Sequence, residues 1–176
     1  PWRVLAAARD GMPLLIRTLA LRAVLPDTTW VAVAGGDITL AAYQVSATVW
    51  TFMAFALDAL AIAAQTLTGH ALGARDKARA RSLTMLMVRW GLLCGTGLGA
   101  VLIGLHRVLP ALFTTDPAVQ SALASGLLFV GLQQPLSGLV FVLDGVLIGA
   151  GDGRWLAGAA VAQTVCYLPI ALVIRA

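Results

Sequence analysis

The chain has 176 residues, of which 60% are hydrophobic and only 11% charged, and its mean hydropathy is +0.89. Soluble globular domains carry about 25% charged residues, so this composition excludes an ordinary water-soluble domain and indicates a membrane protein. The net charge is +4, from 12 Lys and Arg against 8 acidic residues, all of them Asp. These charges lie in short clusters between apolar runs, which is typical of membrane loops, so no nucleic-acid partner is expected.

A helix that crosses a bilayer needs about 20 mostly apolar residues. By this criterion the sequence predicts an all-α, polytopic transmembrane helix bundle with about five spans, at about residues 12–34, 40–67, 82–104, 119–151 and 155–174. The first span contains Arg17, Arg22 and Asp27, and a soluble amphipathic helix is the alternative there. The fourth contains Pro135, which removes a backbone hydrogen bond and is expected to kink the helix.

The distribution of basic residues predicts the orientation. Seven Lys and Arg fall on the side of the N-terminus and two on the other side; the seven are Arg3, Arg9, Arg75, Lys77, Arg79, Arg81 and Arg154, and the two are Arg107 and Arg175. Cytoplasmic loops carry the excess of positive charge, so we predict a multi-pass protein of the plasma membrane with a cytoplasmic N-terminus. We expect the chain to continue beyond both ends, with one further helix after Ala176.

Two carboxylates lie inside predicted spans. Residues 55–64 and 141–150 align with agreement at Phe, Leu, Asp, Ile and Ala, which pairs Asp58 with Asp144. Such internal repeats are common in transporters. A charged side chain within a bilayer costs at least about 2.5 kcal/mol, so each Asp needs water, protonation or a partner. Either they form a proton or cation site, or they are fixed ion-pair partners of Arg17 and Arg89, which lie at similar depth.

Other polar side chains within the spans are candidates for contact with a transported solute, above all Tyr43, Gln44 and Gln133. The amides of Gln133 and Gln134 directly precede Pro135, where they could bind the carbonyl that the proline frees or a substrate; interhelical hydrogen bonding is the alternative.

Small residues predict a close helix contact in the third span, at Gly91, Gly95 and Gly99. The sequence contains no phosphate loop, zinc-ligand spacing or nucleophile elbow. We therefore expect no enzyme, no metal site and no cofactor.

Several segments carry a resemblance to a known family. Residues 41–45 (AAYQV), 57–59 (LDA) and 68–76 (TGHALGARD) resemble the C-terminal lobe of multidrug and toxic compound extrusion (MATE) transporters, and the DinF-like branch looks most similar. Residues 112–119 (LFTTDPAV) resemble the connection before the tenth helix of that family, and residues 143–152 (LDGVLIGAGD) the end of that helix. The similarity covers nearly the whole chain, in the same order.

The resemblance implies twelve helices in two six-helix lobes around a central cavity, from which cationic or amphipathic compounds are exported in exchange for protons or sodium ions. Residues 1–176 would be a partial C-terminal lobe, helices seven to eleven. The implied partners are the lipid bilayer, the N-terminal lobe of the same protein and small cationic or amphipathic substrates. The alternatives are a lipid-linked precursor flippase of the same superfamily and a non-transporting membrane scaffold subunit.

The chain departs from the family pattern in two respects. Relatives often have an acidic residue near the position of Gln65. The Asp of the tenth helix in sodium-coupled relatives lies nearer to Ser137 than to Asp144, so Asp144 is not equated with that ion site. The coupling ion, H⁺ or Na⁺, stays open.

Overall fold

The computed structural model describes the backbone of residues 36–175 and the side chains of residues 36–153 and 155–165. All regular structure in this part of the chain is helical, which confirms the all-α class. The helices are α1 (Asp37–Gly73), α2 (Lys77–Leu105), the short α3 (Pro110–Phe113), α4 (Pro117–Gly149) and α5 (Gly153–Arg175). Three of them, α1, α2 and α4, are long and apolar enough to cross a membrane.

The described helices match four of the five predicted spans. The predictions at 40–67, 82–104 and 119–151 correspond to α1, α2 and α4, and the prediction at 155–174 lies within α5. α1 is longer than predicted, mainly because it continues six residues beyond position 67. α4 continues through Pro135 as one helix. The predicted span at 12–34, with Arg17, lies outside the described residues.

Aspartate side chains begin three of the helices. The carboxylate of Asp76 accepts a hydrogen bond from the Arg79 amide at 2.9 Å, and Asp116 accepts one from the Ala118 amide at 2.8 Å. Asp152 accepts one from the Trp155 amide at 3.2 Å. Each bond satisfies one of the amides that a helix start leaves free. These three acids are therefore structural.

Residues 36–150 form one compact unit, and α5 belongs to a separate one. Within the first unit α4 packs against both α1 and α2. One cluster of buried side chains lies near the start of α4, and a second lies near its end: Ala42, Leu102, Leu123, Leu127 and Val130 in the first, and Ala64, Met87 and Val142 in the second.

Glycines bring α2 and α4 into backbone contact, as the sequence predicted. Gly91, Gly95 and Gly99 are all buried. A Cβ added at Gly91 would lie 2.6 Å from the carbonyl oxygen of Gly138, and one at Gly99 would lie 2.5 Å from that of Gly131. No side chain fits in this seam, so only glycine permits the observed approach.

The outer surface of this bundle is apolar. Phe52, Phe55, Leu93 and Phe129 are each at least 65% exposed. An exposed apolar surface of this extent is unsuited to water and is that of a membrane helix bundle.

Candidate transport pathway

Polar residues recur at every seventh position along the whole of α1. They are Asp37, Gln44, Thr51, Asp58 and Gln65. Seven residues make nearly two turns of an α-helix, so all five lie in one band that drifts slowly around the axis. All five are exposed. At about 1.5 Å per residue the band is about 42 Å long, enough to extend from one side of a bilayer to the other. We call it the α1 polar band.

The sequence interpretation found only part of this band. It selected Gln44 and Asp58 as transport candidates, and it noted Gln65 only as a departure from the family pattern. Asp37 and Thr51 were not predicted as site residues, although the spacing of seven residues is visible in the sequence alone. The hydroxyl of Thr51 donates to the Ala47 carbonyl at 2.8 Å, which satisfies its donor hydrogen within the helix.

An open cavity of about 660 Å³ lies at the end of the α1 polar band where α1 terminates. Gln65, Thr66 and His70 supply its polar groups, and the end of α4 supplies Ile148 and Gly149. A Cβ added at Gly69 would lie 3.3 Å from the Gly149 carbonyl oxygen, so the two helix backbones nearly touch there. The polar band thus leads into a polar opening beside the contact of α1 with α4.

Asp58 is exposed on α1 and has no hydrogen bond or ion pair with any described residue. It lies about 22 Å along the axis from Gly73, at about 1.5 Å per residue.

Asp144 is half-buried on α4 and is not without a partner. It precedes Gly145, whose added Cβ would lie 2.9 Å from the Cα of Ala61. Since Ala61 lies three residues after Asp58, the two carboxylates are at nearly the same depth in the bundle.

Arg89 is exposed on α2 and makes no ion pair with a described acid, Asp58 included. Among the described residues, the suggested pairing of Arg89 with one of the two carboxylates, Asp58 or Asp144, is therefore absent. Arg17 lies outside the described residues, so its predicted pairing stays a prediction.

The remaining predicted site residues are less accessible than the α1 polar band. Tyr43 and Gln133 are half-buried. The neighbouring Gln134 is 1% exposed, and neither atom of its amide has a hydrogen-bond partner. The Gly131 carbonyl, which Pro135 leaves without its usual partner, packs against Gly99. The amide therefore does not bind the freed carbonyl.

A comparison with known protein families identifies the family to which the chain belongs. The family model MatE matches residues 23–173. The chain belongs to the MatE family. The family resemblance drawn from the sequence is confirmed.

Curated MatE relatives come from a plant and a bacterium. The chain is 37% identical to Protein DETOXIFICATION 44, chloroplastic, of Arabidopsis thaliana over 144 residues, which are 82% of this chain and 28% of that protein. It is 32% identical to Protein DETOXIFICATION 42 of the same plant, over 91% of this chain and 32% of that protein. It is also 32% identical to DNA damage-inducible protein F of Escherichia coli (strain K12), over 84% and 32%. No solved structure matches the chain significantly.

The chain thus spans about a third or less of the length of these MatE relatives.

Proposed function

We propose that this chain is part of a secondary active antiporter that exports cationic or amphipathic compounds in exchange for protons or sodium ions. The observation that carries the proposal is the α1 polar band, which is exposed along an otherwise apolar membrane bundle. MatE membership supplies the class of protein. The word detoxification in the names of the plant relatives is consistent with export of harmful compounds.

The energetics favour water, not lipid, beside the α1 polar band. An Asp at the centre of a membrane helix costs roughly 2.5 to 3.5 kcal/mol on insertion scales, and Asp58 has no described ion pair to offset that cost. A water-filled cavity removes most of the penalty. The band contains two carboxylates and no basic residue, so its field attracts cations. These properties suit a cationic solute and a coupling cation that compete for Asp58.

The lobe arrangement follows from the same proposal. Residues 1–176 would form part of a C-terminal lobe, and the α1 polar band would face the N-terminal lobe of the same protein across the cavity. The end of the bundle that carries Arg75, Lys77, Arg79 and Arg81 would be cytoplasmic, in the plasma membrane, by the positive-inside rule. Transport would then proceed by rocking of one lobe against the other, without covalent chemistry.

The alternatives have less support from the described residues. Several arginines along the cavity would favour a lipid-linked precursor flippase; Arg89 lies on α2 and not on the α1 polar band, and Arg17 and Arg22 lie outside the described residues. Full burial of Asp58 and Asp144 against arginine would favour a passive scaffold, whereas Asp58 is exposed.

The test is efflux of a cationic dye from proteoliposomes that contain the full-length transporter, driven by a pH or sodium gradient. Asp58→Asn should reduce gradient-driven efflux by at least about tenfold, because the amide cannot exchange a proton or hold a cation. Asp76→Asn is the matched control, since asparagine still caps α2 and efflux should be unchanged. Full efflux in Asp58→Asn under both gradients would refute the coupling role of Asp58.

A further inference from the structure

We propose that the outer face of α2 binds the headgroup of an anionic phospholipid, at a site independent of the transport pathway. An open groove of about 520 Å³ lies there, lined by Ala78, Arg81, Ser82, Met85, Leu86 and Arg89. All six residues come from the N-terminal half of α2. The site therefore lies at the basic end of the bundle, which we define by Arg75, Lys77, Arg79 and Arg81.

Arg89 is the basic residue of this groove that lies furthest from the start of α2. Its neighbours Met85, Leu86 and Trp90 are 54%, 45% and 49% exposed, so this surface of α2 is apolar and uncovered, as a lipid-facing surface is. No described acid pairs with Arg89. A guanidinium among lipid chains is costly unless it reaches the interface or meets a counter-ion. An aspartate was predicted as that counter-ion from the sequence. Because no described aspartate pairs with Arg89, we assign a lipid phosphate to this role.

The spacing of the two arginines suits one headgroup. Arg81 and Arg89 are eight residues apart, which is about 12 Å along the helix. Side chains on a helix lean toward its N-terminus, and for α2 this direction leads to the basic end. With side chains about 6 Å long, Arg89 can lean toward the basic end while Arg81 extends sideways across the helix surface, which brings the two guanidinium groups to within about 6 Å of each other along the axis. Both side chains line the same groove, so a phosphate between them can contact both.

The chemistry of the groove fits a phospholipid better than a free phosphate. Arginine binds phosphate oxygens through two parallel hydrogen bonds, and the Ser82 hydroxyl is a further donor. Met85 and Leu86 continue the groove as an apolar surface against which an acyl chain can lie. A free phosphate would gain nothing from these two residues.

The charge of the basic end strengthens the site. Arg75, Lys77 and Arg79 are exposed around the start of α2, and the one acid among them, Asp76, already caps the helix. Basic residues next to a membrane surface attract anionic lipid additively. A zwitterionic lipid presents no net negative charge to this field, so the site should discriminate between the two lipid classes.

The experiment is native mass spectrometry of the purified full-length protein with phosphatidylglycerol, phosphatidylcholine or inorganic phosphate. We expect the wild type to prefer phosphatidylglycerol over phosphatidylcholine. Each basic residue near the lipid contributes roughly a factor of five, so Arg81→Gln with Arg89→Gln should weaken phosphatidylglycerol binding about twenty-five-fold. Arg107→Gln removes a charge beyond the other end of α2 and is the matched control, expected to bind as the wild type does.

Several results would overturn the proposal. These are equal binding of both lipids by the wild type, an equal loss in the Arg107→Gln control, or binding of inorganic phosphate that the double variant abolishes. A second measurement needs no variant: photoactivatable phosphatidylglycerol should crosslink to residues 78–90 of the wild type, and crosslinks confined to other segments would contradict the site. Neither measurement depends on transport. The antiporter proposal can therefore be refuted without refuting the lipid site, and the lipid site can be refuted without refuting the antiporter proposal.

Discussion

The glycine seam between α2 and α4 yields a quantitative prediction about a single methyl group. In Gly91→Ala the new Cβ would lie 2.6 Å from the Gly138 carbonyl oxygen and 2.8 Å from a methyl carbon of Val142. The optimal separation of nonbonded heavy atoms is about 3.5 Å. The helices must therefore separate by about 0.9 Å at this point. The neighbouring atom is backbone oxygen, which cannot rotate away as a side chain could.

The cost follows from that separation. A gap of 0.5 to 1 Å forfeits roughly a quarter to a half of each dispersion contact that it opens, and overpacked cores lose about 1 to 3 kcal/mol in general. Alanine is a better helix former than glycine by roughly 0.8 to 1 kcal/mol, which offsets part of the loss. We expect a net destabilisation of up to about 2 kcal/mol, centred near 1 kcal/mol, for Gly91→Ala.

Gly97→Ala is the matched control on the same helix. Gly97 is exposed, and an added Cβ there meets nothing within 4 Å. Only the gain in helix propensity remains, so this variant should be as stable as the wild type or more so. The assay is thermal unfolding of both full-length variants in the same detergent. If the two alanines shifted the midpoint equally, the packing argument for the seam would be wrong.

Two further predictions concern stability. Gln134→Leu should stabilise the protein by about 1 to 3 kcal/mol in the same assay, because it removes a buried amide that has no hydrogen-bond partner. A lower unfolding midpoint for this variant would show that the amide is hydrogen-bonded in the full-length protein. Asp116→Ala should lower the free energy of unfolding by about 1 kcal/mol, because it removes the cap of α4, whereas Asp116→Asn should lower it far less. Equal losses in the two variants would show that the 2.8 Å hydrogen bond from the Ala118 amide does not stabilise the helix.

The sequence predicted the helices well because membrane spans are encoded by length and apolar composition alone. Four spans were located to within a few residues except where α1 continues beyond position 67. That extension contains Thr68, His70 and Ala71, and it was missed because a helix need not end where its apolar run ends. Residue 75 has φ 59°, and the amide of Asp76 bonds to the Ala71 carbonyl at 2.9 Å. This hydrogen bond closes α1, and composition does not reveal it.

The candidate site was harder to predict because it depends on which face of each helix is covered. The seam at Gly91 was predictable, since glycine at every fourth position has few other uses in a membrane helix. The suggested pairing of the two carboxylates with Arg17 and Arg89 rested on depth alone, and depth does not specify the angular position of a side chain. Gln134 illustrates the same limit, since the sequence does not show which of the adjacent amides, Gln133 or Gln134, is the buried one.

Each of the three long helices presents a different kind of surface, and this difference has a consequence for the proposed transport. α4 supplies the contact surface for its neighbours, α1 presents the polar band, and α2 presents apolar residues with Arg89. Backbone contact at Gly91, Gly138 and Gly145 leaves little room for sliding, since any shift would drive carbonyl oxygens into Cα atoms. In the proposed antiporter, a change in the charge of Asp58 would therefore be transmitted by movement of these helices as one body and not by displacement of α1 within it.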